Sequence, residues 1–341
     1  MMNRDPLFTN VPLPIFAEED GDAISPGLRA PTDIYEVARL TRPQREERLG
    51  NLIKQAYDIY QLSLDALEGR EHMGSLISWS GGNDSNVLAH LMRPVATHAY
   101  MANTGIGIEE TRQFVRDQAA AWNLPLIEKV ASKKDSYGLF VTNHGFPGPA
   151  QHDRMYQRLK QRQQRKARNE LVTNGHWQRV IFIGGRRRQE SKKRRSLGFL
   201  DRDGSIINVS PIINWTHLDM TTYRLAHDNV PINGMSVKLG MSGECLCGAN
   251  AKPGELDRVR EHAPEVATHI DGLAARARAN GIQAPFDRWG HGQGKPLESP
   301  MCSEGCGAAN TDPLWQLLDP LAKDDPINWA IETTPKLEEA A

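Results

Sequence analysis

Cysteine is scarce in this chain: the first 244 of its 341 residues contain none, and only four follow. Aromatic residues make up only 6% of the sequence, and the formal net charge is only −1. No apolar run approaches the roughly 18 residues that a membrane-spanning helix needs, and residues 1–20 lack the long apolar region of a signal peptide. These absences argue against a disulfide-rich secreted domain and predict a cytoplasmic protein with no membrane association.

The length and the 39% hydrophobic content are enough for a buried core and suggest about two domains. We predict four segments: an N-terminal arm over 1–30, a nucleotide-binding α/β domain over 31–235, a helical and loop lobe over 236–320, and a tail over 321–341.

Short apolar segments alternate with helical patterns through the middle of the chain. This alternation predicts a doubly wound, mostly parallel sheet with helices on both faces, the α/β class. The predicted strands are 75–79, 97–101, 126–130, 180–183 and 206–209, and the predicted helices include 109–122, 151–172, 216–227 and 255–280.

The segment Ser80-Gly-Gly-Asn-Asp-Ser85 joins the first predicted strand to an apolar helix. Gly81 and Gly82 let backbone N–H groups approach an anion, and the helix adds the positive end of its dipole. Asp84 can cap the helix or orient a metal ion or hydroxyl. The segment predicts a phosphate site, and an ordinary strand–helix turn is the alternative.

This loop resembles the pyrophosphate-binding loop of the adenine-nucleotide α-hydrolase-like superfamily, the PP-loop ATP pyrophosphatases. Three later segments narrow the resemblance to the phosphoadenosine phosphosulfate (PAPS) reductase family. They are Asn103-Thr-Gly-Ile-Gly-Ile-Glu-Glu-Thr111, Gly185-Arg-Arg-Arg-Gln-Glu-Ser-Lys-Lys-Arg194 and Ser210-Pro-Ile-Ile-Asn-Trp215. The four motifs occur in the family's order, and the resemblance covers about residues 50–280.

The resemblance implies catalytic roles for Asp84, Arg187 and Arg194, the arginines as planar clamps for phosphate or sulfate. Asn83 departs from the lysine often found at its position in the family. A solvated basic loop is the alternative for the arginines, and an exposed helix lysine is the alternative for Lys160. The implied nucleotide-binding residues are Ser80, Gly81, Gly82, Asn83, Ser85, Asn103, Thr104, Gly105, Lys160, Glu190 and Ser191.

The near-zero net charge hides a basic stretch from Arg154 to Arg195. It holds 15 lysine and arginine residues against two acidic ones, Glu170 and Glu190, so the rest of the chain is acidic. Such a stretch favours a partner rich in phosphate or sulfate, and nucleic acid is one possibility.

The four cysteines form two close pairs, Cys245 with Cys247 and Cys302 with Cys306. Two close pairs suit a tetrahedral thiolate site for Zn²⁺ or an Fe–S cluster, and their spacing does not select between the metals. Free thiols or disulfides are the alternatives. Related sulfur-handling proteins carry a four-cysteine [4Fe–4S] cluster, which favours a cluster here. A chain that uses all four thiols as ligands keeps none for the nucleophilic role that a C-terminal cysteine has in PAPS reductases.

Together these observations predict a PAPS reductase-like enzyme that binds PAPS, or ATP with Mg²⁺, and acts in sulfur metabolism or sulfur transfer. Its partners would include a thiol reductant or a sulfur donor protein. The alternative is a nucleic-acid modification or binding component, of the phosphorothioation or tRNA-thiolation type, with a structural zinc site.

Overall fold

The computed structural model describes residues 34–190 and 194–292. The predicted arm over 1–30 and tail over 321–341, and also Ser191, Cys302 and Cys306, lie outside the described residues. The strands are β1 (Glu71–Ser78), β2 (His98–Asn103), β3 (Leu126–Val130), β4 (Gln178–Ile183), β5 (Leu200–Asp203) and β6 (Ile206–Val209). The helices are α1 (Ile34–Ala38), α2 (Arg42–Asp65), α3 (Asn83–Met92), α4 (Glu109–Ala121), α5 (Tyr137–His144), α6 (His152–Tyr156), α7 (Arg162–Leu171), α8 (His217–Ala226), α9 (Gly234–Leu239), α10 (Glu255–His262) and α11 (Pro264–Ala279).

The six strands form one sheet in the order β3-β2-β1-β4-β6-β5. Every neighbouring pair is parallel except β5 with β6, which is antiparallel. The predicted α/β class and mostly parallel sheet are confirmed. The chain runs outward from β1 to β2 and β3, and then returns to place β4 on the other side of β1. Ligands of open α/β sheets bind outside the carboxyl ends of the strands at such a reversal.

The central strands are apolar on both faces because helices cover both. In β4, Val180 and Phe182 join a core that contains Ala167 of α7. Ile181 and Ile183 point into the opposite core, with Leu52 of α2. This burial explains the continuous apolar run from which the strand was predicted.

A third apolar core spans the predicted domain boundary at residue 235. It joins Phe140 of α5 and Leu159 to Leu246 and Ile270 of α11. The cysteine-bearing segment therefore packs against residues from the middle of the chain, and the division at 235 stays a prediction.

Two predicted strands, 126–130 and 206–209, have the observed bounds, whereas β1 begins four residues earlier than predicted. The predicted helix 151–172 contains a π-helical turn over Gln157–Gln161. Three short elements were not predicted, namely α5, β5 and α9. No helix of the described ranges has the length and apolar character needed to cross a membrane.

A buried ion pair fixes α8 against α2. The two guanidinium nitrogens Nε and Nη2 of Arg48 lie 2.7 and 3.0 Å from the two carboxylate oxygens of Asp219. Asp219 also closes the first turn of α8, because its Oδ2 accepts from the Thr216 N–H at 2.7 Å. This anchoring fixes the position of α8 beside the glycine loop.

Candidate functional site

The Ser80–Ser85 loop follows β1 and leads directly into α3. Gly81 has a φ of +73°, and a Cβ there would lie 2.8 Å from Thr111 Cγ2, so both conformation and space require glycine. Ser85 Oγ donates to the Gly82 carbonyl at 2.9 Å and accepts from the Ser80 N–H at 3.3 Å. These bonds close the loop ahead of the first turn of α3, where backbone N–H groups lack intrahelical partners and can bind an anion.

Asp84, in the first turn of α3, is held by a buried arginine. The Nε and Nη2 atoms of Arg187 both lie 2.8 Å from Asp84 Oδ2, and Arg187 is only 3% exposed. Its Nη1 donates to Gln189 Oε1 at 3.2 Å and to the Trp215 carbonyl at 3.4 Å. The guanidinium therefore ties the segment after β4 to the loop after β1.

Glu190 lies behind this pair. Its Oε1 accepts from the backbone N–H of Arg187 at 2.8 Å, and its Oε2 pairs with Arg194. Burial raises the pKa of Glu190, and the charge of Arg194 opposes that rise. The predicted clamp Arg194 thus has a carboxylate partner beside the loop.

A second guanidinium reaches the loop from α8. Arg224 Nε donates to Asn83 Oδ1 at 2.7 Å, and its Nη1 donates to the carbonyls of Pro231 and Val230 at 3.2 and 3.4 Å. Burial lowers the pKa of Arg224 to about 10, and the nearby carboxylate of Asp84 limits this fall. The side chain therefore stays charged at neutral pH.

The residues expected near the adenosine lie at the end of β2. Asn103 Nδ2 donates to Glu128 Oε1 at 2.7 Å, and its Oδ1 accepts from the Gly105 N–H at 3.1 Å. Thr104 is fully buried, and its N–H donates to Glu244 Oε1 at 3.0 Å. A cavity of about 560 Å³ opens beyond Gly105. Its walls are acidic: they are formed by Gly105, Ile106, Gly107, Glu109, Glu110, Gln113, Glu265, Val266 and His269.

Glu244 lies buried between this strand end and Lys160. Its Oε2 is 3.9 Å from Lys160 Nζ, and Glu244 as a whole is only 1% exposed. Burial raises the pKa of Glu244 to about 7, although Lys160 opposes the rise. Burial also disfavours the charged form of Lys160, but Cys245 and Glu244 together leave its pKa above the usual value. Lys160 belongs to the π-helical turn, a local structure frequent at functional sites.

The first cysteine pair follows Glu244 directly. Cys245 and Cys247 are free thiols. The interaction between them lowers the pKa of Cys247 to about 7 and raises that of Cys245. The backbone around them is anchored, since Tyr137 Oη donates to the Cys247 carbonyl at 2.8 Å and Trp289 Nε1 donates to the Leu246 carbonyl at 2.8 Å. Within residues 34–190 and 194–292, no three His, Cys, Asp or Glu side chains form a metal-binding group.

Residues 75–238 match the family model of the phosphoadenosine phosphosulfate reductase domain. This match covers just under half of the chain. The resemblance that the four sequence motifs indicated is confirmed. The domain begins within β1 and ends within α9, so Glu244, Cys245 and Cys247 lie just beyond it.

Solved structures similar to the chain include PAPS reductase from Candida auris in a phosphate complex, at 18% identity and a TM-score of 0.38 over 57% of this chain and 90% of that one. NMN synthetase from Francisella tularensis matches at 15% identity and a TM-score of 0.37, over 69% and 96%. The U34-tRNA thiolase NcsA from Methanococcus maripaludis, with its [4Fe–4S] cluster, matches at 13% identity and a TM-score of 0.38, over 75% and 89%. No curated protein sequence matches the chain significantly.

The matched segment brings the implied residues together in two groups. The glycine loop, Arg187, Glu190 and Arg194 are linked by direct contacts at the ends of β1 and β4. Asn103, Thr104, Gly105 and Lys160 lie around Glu244 at the end of β2.

Three contacts of the site were not anticipated from the sequence, those of Arg224, Glu244 and Asn233. Glu244 adjoins Cys245, and that position beside a predicted metal ligand is a signal that could have been used. Asn233 Nδ2 donates to the Gly81 carbonyl at 3.0 Å from 152 residues away, and Arg224 is 141 residues away from Asn83. No local pattern marks either of these two residues.

Proposed function

We propose that the PAPS reductase domain binds an adenine nucleotide, PAPS or ATP, with its phosphates on the Ser80–Ser85 loop. The observation that carries this proposal is the closed loop at the start of α3, with Asp84 held by the buried Arg187. Free backbone N–H groups and a helix dipole together favour an anion at this point. Asn103, Thr104 and Gly105 would face the adenosine side.

The reaction would take place at the α-phosphate of ATP or at the sulfate of PAPS. In the first case the substrate is ATP with Mg²⁺, an acceptor is adenylated, and pyrophosphate leaves on the glycine loop. The N–H groups of the loop would stabilise the charge that develops on the departing oxygens. Arg187 would keep Asp84 fixed, and Arg194 would add positive charge through its position beside Glu190.

We further propose that Cys245 and Cys247, together with Cys302 and Cys306, hold a [4Fe–4S] cluster or, alternatively, Zn²⁺. The described pair suits such a site, because the two thiols lie on one anchored segment beside Lys160, whose charge favours thiolates. A cluster would serve sulfur transfer, whereas zinc would hold the C-terminal lobe together. A thiol reductant or sulfur donor protein would complete the reaction.

The alternative function is modification or binding of nucleic acid through Arg154–Arg195. Arg154, Arg162 and Arg165 of this stretch are exposed, which favours contact with a phosphate backbone. Arg162 and Arg165 also pair with Asp135 and Asp203. If this stretch binds DNA or tRNA, the affinity should fall steeply as the salt concentration rises. Absent binding, or binding that does not depend on salt, would reject this alternative function.

Calorimetric titration of the full chain with PAPS, ATP and pyrophosphate tests the nucleotide proposal. Ser85→Ala removes the hydroxyl that closes the loop and should weaken binding about tenfold, the effect of losing a hydrogen bond that holds the loop in its binding conformation. Ser205→Ala is the matched control, because Ser205 bonds Arg168 near the β5–β6 turn. Pyrophosphate release and, with a thiol reductant, sulfite formation identify the reaction. A wild-type chain that binds none of the three ligands would overturn the proposal.

A further inference from the structure

Asn83, the first residue of α3, is uncharged, but a positively charged guanidinium contacts its side chain. Arg224 of α8 donates from Nε to Asn83 Oδ1 at 2.7 Å. The ion pair between Arg48 and Asp219 fixes the helix that delivers this guanidinium. The contact therefore belongs to the packed structure and does not depend on a solvated surface side chain.

The two guanidiniums beside the loop, the buried one of Arg187 and the half-buried one of Arg224, differ in how their donors are used. Arg187 directs Nε and Nη2 to Asp84, and Nη1 to Gln189 and Trp215. In the described part of the chain, Arg224 has no carboxylate within 4.0 Å, and its Nη2 donates to no protein group. Arg224 therefore keeps a charged donor available next to the loop, whereas Arg187 uses its donors to hold Asp84.

A half-buried guanidinium without a carboxylate partner is unfavourable, because the lost hydration is not replaced by an opposite charge. Burial is also the cause that lowers the pKa of Arg224, yet at about 10 the side chain remains charged at neutral pH. An anion bound on the glycine loop would supply the missing negative charge.

We propose that Arg224 is a phosphate-binding residue of the Ser80–Ser85 loop, and that its Nη2 donates to a non-bridging phosphate oxygen of the bound nucleotide. The inference rests on the proposed function and deepens it. Asn83 then serves to orient the guanidinium through Nε, and the cation that a lysine at position 83 would provide comes from α8.

The test compares pyrophosphate binding by wild type, Arg224→Gln, Arg224→Lys and the double variant Asn83→Lys with Arg224→Gln. Arg224→Gln should weaken binding about 10- to 100-fold, as expected for loss of a charge-assisted hydrogen bond. Arg224→Lys should retain part of the affinity. The double variant should regain affinity, because a lysine at position 83 would bring a positive charge to the place where Arg224 now contacts Asn83. Arg202→Gln is the matched control, since Arg202 on β5 contacts Gly204 and Glu68 instead.

Each outcome has a distinct meaning. If wild type binds pyrophosphate and Arg224→Gln binds it equally well, the role of Arg224 is overturned but the proposed function is not. If wild type does not bind pyrophosphate, the proposed function is overturned as well. If Asn83→Lys does not restore affinity, Arg224 acts only by holding the carbonyls of Val230 and Pro231. Should Arg224→Gln fail to fold, wild-type protein is treated with an arginine-specific dicarbonyl. Pyrophosphate should then protect Arg224 from modification, and equal labelling with and without pyrophosphate would reject the proposal.

Discussion

At the scale of single residues, His90 shows how burial in the core beneath the loop changes the pKa of a side chain. Its Nδ1 lies 2.8 Å from Tyr223 Oη, and its Nε2 lies 2.9 Å from Asn229 Oδ1. The neutral ring with its proton on Nε2 satisfies both contacts. Burial lowers the pKa of His90, and the positive groups Arg93, His227 and Arg224 around it act in the same direction.

This lowered pKa predicts a loss of stability on acidification. The unfolded chain binds a proton on His90 near pH 6.5, while the folded chain resists it, so stabilisation present above that pH is lost as pH falls. His90→Gln should show a smaller decrease in the free energy of unfolding between about pH 7.5 and 5.5 than wild type. Urea unfolding followed by tryptophan fluorescence measures it, because Trp122 lies 6.2 Å from His90 between ring centroids.

The exposed His144 provides the control, and His144→Gln should keep the wild-type pH dependence. Equal slopes for His90→Gln and wild type would show that the buried ring does not contribute.

Residue identities in the site could be predicted where their chemistry is local. The Ser80–Ser85 loop was identifiable because glycines, hydroxyls and the following helix lie within a few positions of sequence. Arg224 and Asn233 could not be identified, because they meet the loop only after α8 and the turn before α9 pack against it. Pairing of Arg187 with Asp84, instead of an open clamp, was also invisible in the sequence, since 103 residues separate them.

At the scale of elements, the segment before the cysteine pair is docked on the turn between β2 and α4. The Ile108 N–H donates to the Gly243 carbonyl and the Leu246 N–H to the Ile106 carbonyl, both at 2.9 Å. Gly107 lies between them, and a Cβ there would be 2.0 Å from the Glu244 carbonyl oxygen. The turn between β2 and α4 and the cysteine segment are therefore one structural unit.

Gly107→Ala should separate these two segments. Because the added methyl group meets backbone and not a flexible side chain, we expect a destabilisation of about 1–3 kcal/mol, the usual cost of overpacking. Chemical unfolding of the full chain measures this change, and thiol labelling of Cys245 and Cys247 should become faster.

Gly50→Ala on α2 is the matched control, because no atom lies within 4 Å of its Cβ position. It should stabilise the protein by about 0.5–1 kcal/mol through helix propensity. A neutral Gly107→Ala variant would mean that the cysteine segment adjusts freely.

Element prediction succeeded where burial imposes a pattern. β6 has its predicted bounds because it lies inside the sheet and buries Ile206, Ile207 and Val209. β3 also has its predicted bounds, although it is an edge strand that contains Glu128 and Lys129. The edge strand β5 has the sequence Leu-Asp-Arg-Asp and pairs on one side only, so its polar residues gave no strand signal. The helices α5 and α9, with eight and six residues, are too short for a helical period to be distinguished from a loop.

At the scale of the whole molecule, several basic side chains form ion pairs with acidic side chains of the same chain. Arginines of the basic stretch pair with acidic residues elsewhere in the chain: Arg162 with Asp135, Arg165 with Asp203, Arg186 with Asp201 and Arg187 with Asp84. Part of the local positive charge that the sequence shows is thus neutralised in the fold. The near-zero net charge is consistent with this arrangement, which leaves Arg224 without a carboxylate partner among the described residues.

At this scale the main prediction is that the four cysteines bind one metal ion or cluster. If they form one site, Cys245→Ser and Cys302→Ser should each remove the metal from the full chain, although the two residues are 57 positions apart. A cluster predicts about four iron ions per chain and broad visible absorption after anaerobic purification, whereas structural zinc predicts one zinc ion and no such absorption.

Ser303→Ala, next to a predicted ligand, should retain the wild-type metal content and is the control for this test. Metal loss confined to one cysteine pair would show that the pairs do not share an ion. A metal-free wild-type chain would leave both pairs as thiols or disulfides. If they are thiols, a cysteine is available as the sulfur nucleophile, and reduction of PAPS itself, measured as sulfite, becomes the expected activity.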